Sequence, residues 1–283
     1  MDHNERTRRF FAGKFVIITG GSKGIGLATA EQVFALGADL AIVARDAAGL
    51  TAARASVERG RVHPDQLLET ISCDCTDQAA LKPLLETLVV RRGSPDCLIN
   101  CVGYAGPGYA QDLDLAAYRR HMEVNFFGQL VPILILMPHL LAARRGHIAN
   151  VSSLLGFMGA MGYAAYCPSK FAITGLTEAL RNELGVHGLS FSIVFPADVD
   201  TPGYAEENRT KPPECKEISK RARILSPEAV ARAMIRGIAR GQFEIAPGEA
   251  ATVRKCFRFV PWLVRWIIDH DYREARRLVA SSS

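Results

Sequence analysis

The sequence lacks the patterns that mark metal centres, disulfide frameworks and exported chains. Its seven cysteines include no CxxC pair, which fits reduced thiols in a cytosol-like compartment better than disulfides. None of its seven histidines is spaced as HxxxH or HExxH, so we expect no metal site. The first eleven residues are charged and lack the apolar stretch of a secretion signal, and no run reaches the roughly 20 apolar residues that span a bilayer.

Composition and charge exclude little else. Of the 283 residues, 48% are hydrophobic and 22% are charged, which is ordinary for a soluble globular protein with a large core. The formal net charge of +5 fits a phosphate-bearing cofactor or an anionic membrane surface, and equally a solvated surface with some extra lysine and arginine. The chain has no internal repeat and no low-complexity tract, and we expect no nucleic-acid partner.

Short apolar strands alternate with helical patterns along most of the chain. Strands are predicted at 15–18, 40–44, 68–73, 97–101, 147–151, 190–195 and 243–246, and the later helices at 46–59, 77–91, 112–144, 164–186 and 227–240. The apolar stretch 126–143 contains glycine and proline and is interpreted as a buried helical region. The alternation predicts a doubly wound parallel sheet of the Rossmann type, which binds its ligands at the carboxyl ends of the strands.

Two stretches break the alternation within the single domain that we predict for residues 1–283, whose core covers about 14–247. The segment 197–226 is longer than a simple connection between two elements needs to be, so we predict a lid or substrate loop there. The tail, residues 248–283, mixes tryptophan and arginine into a short apolar segment. That mixture is typical of an element in a membrane interface, and a segment packed on the domain or on a partner subunit is an equal alternative.

A glycine-rich turn joins the first predicted strand to its helix. It reads Thr19-Gly20-x-x-x-Gly24-x-Gly26. Glycines permit the tight turn and let backbone N–H groups approach a pyrophosphate, while the helix N-terminus adds a partial positive charge. A glycine cluster alone is weak evidence, but a strand–turn–helix context is the one that dinucleotide binding requires.

The spacing of this turn, together with a series of later motifs, resembles the short-chain dehydrogenase/reductase family. In chain order these motifs are Asp74, Asn100-Cys101-Val102-Gly103, Asn125, Ser153, Tyr166-x-x-x-Lys170, Pro196 and Thr201. The resemblance covers about residues 14–247 and departs from the family pattern at Ala197, where the family usually has glycine. It implies a ketoreductase that forms a homodimer or homotetramer through its long helices.

Four catalytic residues follow from this resemblance: Tyr166, Lys170, Ser153 and Asn125. Tyr166 would give its proton to a carbonyl oxygen as hydride arrives at the carbon. Lys170, one helical turn away, would lower the pKa of the phenol and hold the nicotinamide ribose. Ser153 would donate a hydrogen bond to the substrate oxygen, and Asn125 would hold a water that links Lys170 to solvent.

The family pattern also assigns the residues that bind the cofactor, which we expect to be NADP(H). They are Gly20, Ser22, Lys23, Gly24, Ile25, Gly26, Arg45, Asp74, Asn100, Gly103, Tyr166, Lys170, Pro196 and Thr201. NAD enzymes have an acid at the end of the second strand, whereas this chain has Ala44 followed by Arg45, which together with Lys23 suits a 2′-phosphate. If the alignment were shifted by one residue, Asp46 would become the ribose acid.

The segment after the sixth strand resembles one branch of the family, the 3-ketodihydrosphingosine reductases of sphingolipid synthesis. The matching motif is Asp198-x-Asp200-Thr201-Pro202-Gly203, followed by Glu206-Glu207-Asn208-x-Thr210-Lys211-Pro212. The resemblance implies NADPH-dependent reduction of 3-ketosphinganine to sphinganine, and the acidic residues would suit the amine of that lipid. The alternatives are another ketone, such as a 3-oxoacyl thioester or a steroid, and a non-catalytic dinucleotide-binding protein.

Some residues near these motifs receive a plainer interpretation. We interpret His121, His139 and His147 as packing or surface residues, and Cys167 as a small buried filler. Together the patterns predict a cytoplasmic protein that acts on a small lipid-like ketone. Through its tail it would also lie peripherally on the cytoplasmic face of a membrane.

Overall fold

Seven apolar runs form the predicted parallel sheet in a computed structural model that describes residues 3–282. The strands are β1 (Phe15–Thr19), β2 (Asp39–Ala44), β3 (Leu68–Ser72), β4 (Cys97–Asn100), β5 (Gly146–Val151), β6 (Leu189–Val194) and β7 (Glu244–Ile245). Their order across the sheet is β3-β2-β1-β4-β5-β6-β7, so the doubly wound fold is confirmed. The topological switch point, where such folds bind ligands, lies between the ends of β1 and β4. Residues 1, 2 and 283 of the predicted domain lie outside the described residues.

Helices cover both faces of the sheet and bury an apolar cluster against each. They are α1 (His3–Phe11), α2 (Gly24–Ala35), α3 (Ala47–Glu58), α4 (Gln78–Arg92), α5 (Leu115–Met122), α6 (Gly128–Ala143), α7 (Tyr166–Leu184), α8 (Pro202–Thr210), α9 (Pro213–Ser219), α10 (Pro227–Ala239), α11 (Ala250–Phe259) and α12 (Pro261–Ser282). Because side chains alternate along a strand, Ile18 packs on one face with Phe34, whereas Ile17 packs on the other with Leu136.

The helical region predicted at 112–144 forms α5, a π-helical turn (Glu123–Phe127) and α6 in one continuous run. Among the described residues, this is the one stretch long and apolar enough to cross a membrane, and 44% of its most apolar window is buried. Its two prolines interrupt the apolar pattern without ending the helix, so the apolar residues stay in one helical run although no 20 of them are consecutive. Ile133, Leu136 and Leu140 are fully buried in the cluster beneath it, so the interpretation as a buried helical region is confirmed.

The segment 197–226, predicted as a lid or loop, folds into the two short helices α8 and α9. Helix α8 begins after Thr201, whose side chain accepts a 3.0 Å hydrogen bond from the Tyr204 N–H. Pro202 takes the first helical position, where its missing N–H costs nothing. The two helices stand beyond the carboxyl ends of the strands and contribute to the cleft described below.

The tail forms α11 and α12, and one side of these helices packs on the domain. The ring of Phe257 lies 5.8 Å from that of Phe157, and Ile268 joins the same apolar cluster. Val264 and Ala275 of α12 are buried, and α12 packs against α9. The alternative of a tail packed on the domain is therefore correct for this side of α12.

Candidate active site

A cleft of about 540 Å³ extends along the carboxyl ends of the strands, across the switch point. The glycine turn and the ends of β2 and β3 line one end, and α8, α9 and α12 line the other, which we call the lid end. Among the predicted site residues, those that line the cleft are Gly20, Ser22, Lys23, Gly24, Ile25, Gly26, Arg45, Asp74, Gly103, Ser153, Tyr166, Lys170, Pro196 and Thr201.

The glycine turn is shaped by close backbone contacts that exclude a side chain. Gly20 has a φ of +68°, and a Cβ there would lie 2.8 Å from the backbone of Cys101 and Val102. A Cβ on Gly26 would overlap the carbonyl oxygen of Gly20. Helix α2 starts directly after this turn without a capping side chain, so its first N–H groups remain for a ligand at the cleft. The turn and the helix N-terminus therefore fit a pyrophosphate.

The end of β2 carries an exposed arginine rather than an acid. The side chain of Arg45 is 68% exposed, and its Nη1 lies 3.6 Å from Oδ2 of Asp74. The carboxylate of Asp46 accepts a 3.1 Å hydrogen bond from the Ala48 N–H and caps α3. Asp46 therefore serves as the cap of α3. Arg45 also lines the cleft, and its side chain caps no helix.

Tyr166, Lys170 and Ser153 lie together, as predicted, where the start of α7 meets the end of β5. Ser153 acts on the Tyr166 hydroxyl and lowers its pKa, and its Oγ accepts a 3.1 Å hydrogen bond from the Leu155 N–H, which leaves the serine proton for another acceptor. Lys170 is 3% exposed, its Nζ donates a 3.1 Å hydrogen bond to the Val151 carbonyl, and it lies 5.7 Å from the centre of the Tyr166 ring. An acid, a hydrogen-bond donor and a buried cation therefore converge on one point of the cleft.

Burial controls the protonation of this group. It raises the pKa of Tyr166, the hydrogen bond with Ser153 opposes the rise, and the charge of Glu207 adds to it. The pKa of Tyr166 is therefore raised overall, because burial outweighs the hydrogen bond that lowers it, and the predicted lowering by Lys170 stays a prediction. Burial also lowers the pKa of Lys170, to about 8. The phenol is therefore protonated near neutral pH, as a proton donor must be.

Asn125 lies behind the cleft lining, and its predicted catalytic role stays a prediction. It lies in the π-helical turn, where its Nδ2 donates 2.9 Å hydrogen bonds to the Tyr104 carbonyl and to Oγ of Ser169. Its Oδ1 accepts a 2.7 Å hydrogen bond from the Tyr104 N–H. Because protein groups bond both ends of the amide, the side chain clamps the segment after β4 to α7. Its Oδ1 and the Lys170 Nζ both lie beside Gly103, so the water that would link Lys170 to solvent stays a prediction.

Asn100 is also buried away from the cleft, contrary to its predicted contact with the cofactor. Its Oδ1 accepts a 2.9 Å hydrogen bond from Thr19, and its Nδ2 donates one of 2.9 Å to Asn150. Asn150 in turn donates a 2.9 Å hydrogen bond to Thr177 of α7. This buried chain of polar side chains ties β1, β4 and β5 to the helix that carries the catalytic tyrosine.

His121 packs as predicted, but at the active site. Its Nε2 accepts a 3.0 Å hydrogen bond from the Gly106 N–H, so the proton is on Nδ1, which is 2.7 Å from the Ala117 carbonyl. The ring packs against that of Tyr104 in a tilted contact at 4.9 Å and meets Tyr166 edge to face at 6.2 Å. Burial lowers the pKa of His121, so this neutral imidazole supports the catalytic tyrosine from behind. No sequence pattern indicates the contact between His121 and Tyr166, since 45 positions separate them.

Carboxylates line the lid end of the cleft. Glu207, whose side chain is 14% exposed, accepts a 2.6 Å hydrogen bond from the Tyr163 hydroxyl and pairs with the buried Lys211 at 3.2 Å. Asp198 accepts a 3.1 Å hydrogen bond from the Tyr204 hydroxyl. Asp271 of α12 lines the same end, and within residues 3–282 no lysine or arginine lines the cleft there apart from Lys170.

An ion pair joins the lid to the tail at the rim of this cleft. Nη1 of Arg221, just after α9, lies 2.9 Å from Glu274 and 3.7 Å from Asp271. His270 stands beside these two carboxylates, in the one group of described residues whose spacing could hold a metal ion. Since Arg221 pairs most closely with Glu274 and offsets one of the two negative charges, the cluster is accounted for as a contact between α9 and α12.

Comparisons with known proteins identify the family. The sequence matches the family described as "short chain dehydrogenase" over residues 14–212. The chain belongs to this family. Two solved members share the fold: levodione reductase, with a TM-score of 0.77 at 22% identity over 85% of this chain and 98% of that one, and an enzyme from Burkholderia phymatum in complex with NAD, with a TM-score of 0.76 at 25% identity over 86% and 92%.

Curated relatives in the family resemble the chain over most of its length. It is 36% identical to the 3-dehydrosphinganine reductase of Danio rerio over 82% of this chain and 70% of that protein. It is 36% identical to the 3-ketodihydrosphingosine reductase of Dictyostelium discoideum over 83% and 74%, and 34% identical to that of Bos taurus over 83% and 71%. The short-chain dehydrogenase/reductase is thus an oxidoreductase that uses a nicotinamide dinucleotide, for which the glycine turn provides a fitting site.

Proposed function

We propose that this enzyme reduces 3-ketosphinganine to sphinganine with NADPH, a step of sphingolipid biosynthesis. The observation that carries the proposal is the lining of the lid end, where acidic and apolar side chains surround the catalytic tyrosine. Its charged residues, Lys170 apart, are Asp198, Glu207 and Asp271. The apolar ones include Leu155, Met158, Met161, Ile218 and Ile268. Such a lining suits an ammonium beside the ketone and a long alkyl chain, and the names of the relatives agree with it.

The three catalytic side chains have distinct tasks in this reduction. The bound dinucleotide supplies the hydride. Tyr166 gives its proton to the ketone oxygen, and its raised pKa keeps that proton in place until negative charge develops on the oxygen. Ser153 donates a hydrogen bond to the same oxygen. The ammonium of Lys170 stabilises the phenolate that remains, in a buried site where charges interact strongly.

The position of the amine links the acidic lining to the chemistry. In 3-ketosphinganine the ammonium is on the carbon next to the keto carbon, so it lies close to the Tyr166 hydroxyl when the ketone oxygen is bound there. The charges of Glu207 and Asp198 both act on the Tyr166 phenol and raise its pKa. Carboxylates that reach the phenol also reach an ammonium beside it, and we expect them to orient the substrate head.

The choice of NADPH rests on the end of β2. A 2′-phosphate needs cations, and Arg45 and Lys23 line the cleft at its cofactor end. The acid that could bind a 2′-hydroxyl, Asp46, is occupied as the cap of α3. Arg45 is largely exposed and is free to turn from Asp74 toward a phosphate.

The decisive test is a side-by-side assay of three ketones: 3-ketosphinganine, its N-acetyl derivative and a 3-oxoacyl thioester. We expect the highest kcat/KM for 3-ketosphinganine. Since acetylation removes the positive charge and keeps the chain, we expect a loss of about tenfold or more, the size of one hydrogen bond to a charged group. A clear preference for the thioester would reject the sphingoid substrate and leave the ketoreductase standing.

The proposal includes partners and location. We propose a cytoplasmic homodimer or homotetramer that pairs through α6 and α7, with peripheral contact to a membrane through the tail. Large apolar side chains support the pairing face, because Phe127, Leu134 and Phe171 are exposed along these helices. Light scattering of the wild type and of a Leu134→Glu/Phe171→Glu variant tests the pairing, and an unchanged mass would reject this interface.

A further inference from the structure

Helix α12 has a second apolar side that the fold does not use. The first side packs inward through Val264, Ile268 and Ala275. The second faces solvent and consists of Phe259, Trp262, Leu263, Trp266 and Ile267, which are 77%, 68%, 36%, 59% and 43% exposed. Trp262, Leu263, Trp266 and Ile267 recur at i, i+1, i+4 and i+5 of α12 and share one side of it. Phe259, the last residue of α11, comes just before them, across the break at Val260. A contiguous apolar surface of this size marks a site of interaction.

The charges around this stripe are mostly basic, and the exposed Asp269 follows just after its last residue. Residues 254–268 contain four basic residues and no acidic one. Arg254 pairs with Glu244 at 2.7 Å. The other three, Lys255, Arg258 and Arg265, are exposed, and no carboxylate among the described residues lies within ion-pair distance of them. The stripe is therefore bordered by cations that have no acidic partner in the chain.

Tryptophan and unpaired arginine on one apolar stripe are the composition of an element that lies in the headgroup layer of an anionic bilayer. A second copy of the chain fits less well. In a symmetric pair the same patch meets itself, so these three cations would face like charges with Asp269 alone beside them to offset the repulsion. Phosphatidylserine-type headgroups supply the missing negative charge.

We propose that the outward stripe of α11 and α12 docks on an anionic membrane surface. The opposite side of α12 lines the cleft through Ile268, Asp271 and Tyr272, so the helix forms the wall between the bilayer and the lid end. A ketone with a long alkyl chain then enters from the lipid without crossing water. The docking itself does not depend on which ketone is reduced, so its failure and that of the proposed substrate are separable.

The two tryptophans of the stripe are the only ones in the chain, so intrinsic fluorescence reports on this surface alone. The full-length enzyme is mixed with vesicles of phosphatidylcholine, or of phosphatidylcholine and phosphatidylserine in equal amounts. We expect a blue shift and flotation with the anionic vesicles, both reduced by salt. No shift and no flotation with them would overturn the proposal. A blue shift that follows protein concentration without lipid would also overturn it, in favour of self-association.

Variants separate apolar insertion from charge. We expect Trp262→Ser/Trp266→Ser to abolish flotation. The triple variant Lys255→Gln/Arg258→Gln/Arg265→Gln should weaken binding to the anionic vesicles on the order of 100-fold, since each basic residue near such a surface contributes roughly fivefold. The matched control Val90→Ser/Val186→Ser changes two exposed apolar residues elsewhere and should float like the wild type. Equal flotation of all four proteins would refute docking through this stripe. Activity on a short water-soluble ketone checks that each variant is folded.

Discussion

The hydroxyl of Tyr163 donates a 2.6 Å hydrogen bond to the carboxylate of Glu207. This bond joins the segment just before the catalytic helix to the lid helix α8, and the Tyr163 ring lies 5.9 Å from that of Tyr166. A charged group of the lid is thereby fixed beside the reacting phenol. The lid therefore covers the cleft and also places a negative charge beside the phenol, and the effect of that charge on the reaction can be measured.

Glu207→Gln should raise KM for 3-ketosphinganine and lower kcat/KM by about 10- to 100-fold, the usual effect of losing a hydrogen bond to a charged group. The N-acetylated substrate should be affected much less. Because Gln leaves the buried Lys211 without its partner, thermal melting must accompany the assay. Asp198→Asn, which leaves that ion pair intact, is the second variant. Equal losses on both substrates would show that these carboxylates are structural.

Tyr166→Phe should lower kcat by about 100-fold or more, since it removes the proton donor and keeps the ring. The dissociation constant for NADPH should change little, as measured by fluorescence titration. Tyr163→Phe is the matched control, because it removes a neighbouring hydroxyl that gives no proton to the ketone. If Tyr166→Phe kept more than about a tenth of kcat, another group would be the acid.

Arg45→Ala should lower kcat/KM for NADPH by about tenfold or more and leave that for NADH nearly unchanged, because a charge-assisted bond to the 2′-phosphate is lost. Arg59→Ala, an exposed arginine at the far end of α3, serves as the control. In the wild type, NADPH should be clearly preferred. Comparable kcat/KM for the two cofactors would refute the assignment of Arg45.

Lys170 should set the alkaline limit of the reduction. Its pKa is lowered to about 8, whereas that of Tyr166 is raised, so Lys170 loses its charge first as the pH rises. We expect kcat/KM to be level near neutral pH and to fall above about pH 8. A profile that stays level well beyond that value would show that the charge on Lys170 is not needed.

The same lowered pKa predicts a stability effect. Between about 8 and the ordinary value of 10.5, the unfolded chain binds a proton that the folded protein has released, so stability rises with pH across this window. Below it, folding bears the full cost of burying the charge. Lys170→Met should therefore melt several degrees higher than the wild type at neutral pH, with a gain of roughly 2 to 3 kcal/mol. The gap should close above pH 8, and a variant less stable at neutral pH would contradict the argument.

The sheet could be predicted because strands buried on both faces are continuous apolar runs, as in β1 and β2. The lid helices could not be predicted by periodicity, since α8 is largely polar and none of its residues is buried. A different signal was available there, because Thr201 followed by Pro202 is a helix start.

In the active site, the spacing of the family motifs correctly predicted that Ser153, Tyr166 and Lys170 lie together. It could not show that the amides of Asn100 and Asn125 bond to protein groups, because a motif names an amide without showing which way its side chain turns. Tyr163 and Asp271 could not be found from sequence at all, since tertiary packing alone brings residues so far apart in the chain to one cleft.

Helix α12 supplies one wall of the cleft from the far end of the chain, more than 90 positions after the proton donor. The segment from Ser153 to Lys170 contains every side chain assigned to proton transfer. The tail lies far from this segment along the chain. The tail residues that shape the substrate end of the cleft and the residues that carry out the reaction thus lie in separate segments of the chain. Substitutions in the tail can change which ketone is admitted while the reaction steps stay as they are, so new substrates are open to this scaffold without rebuilding its catalyst.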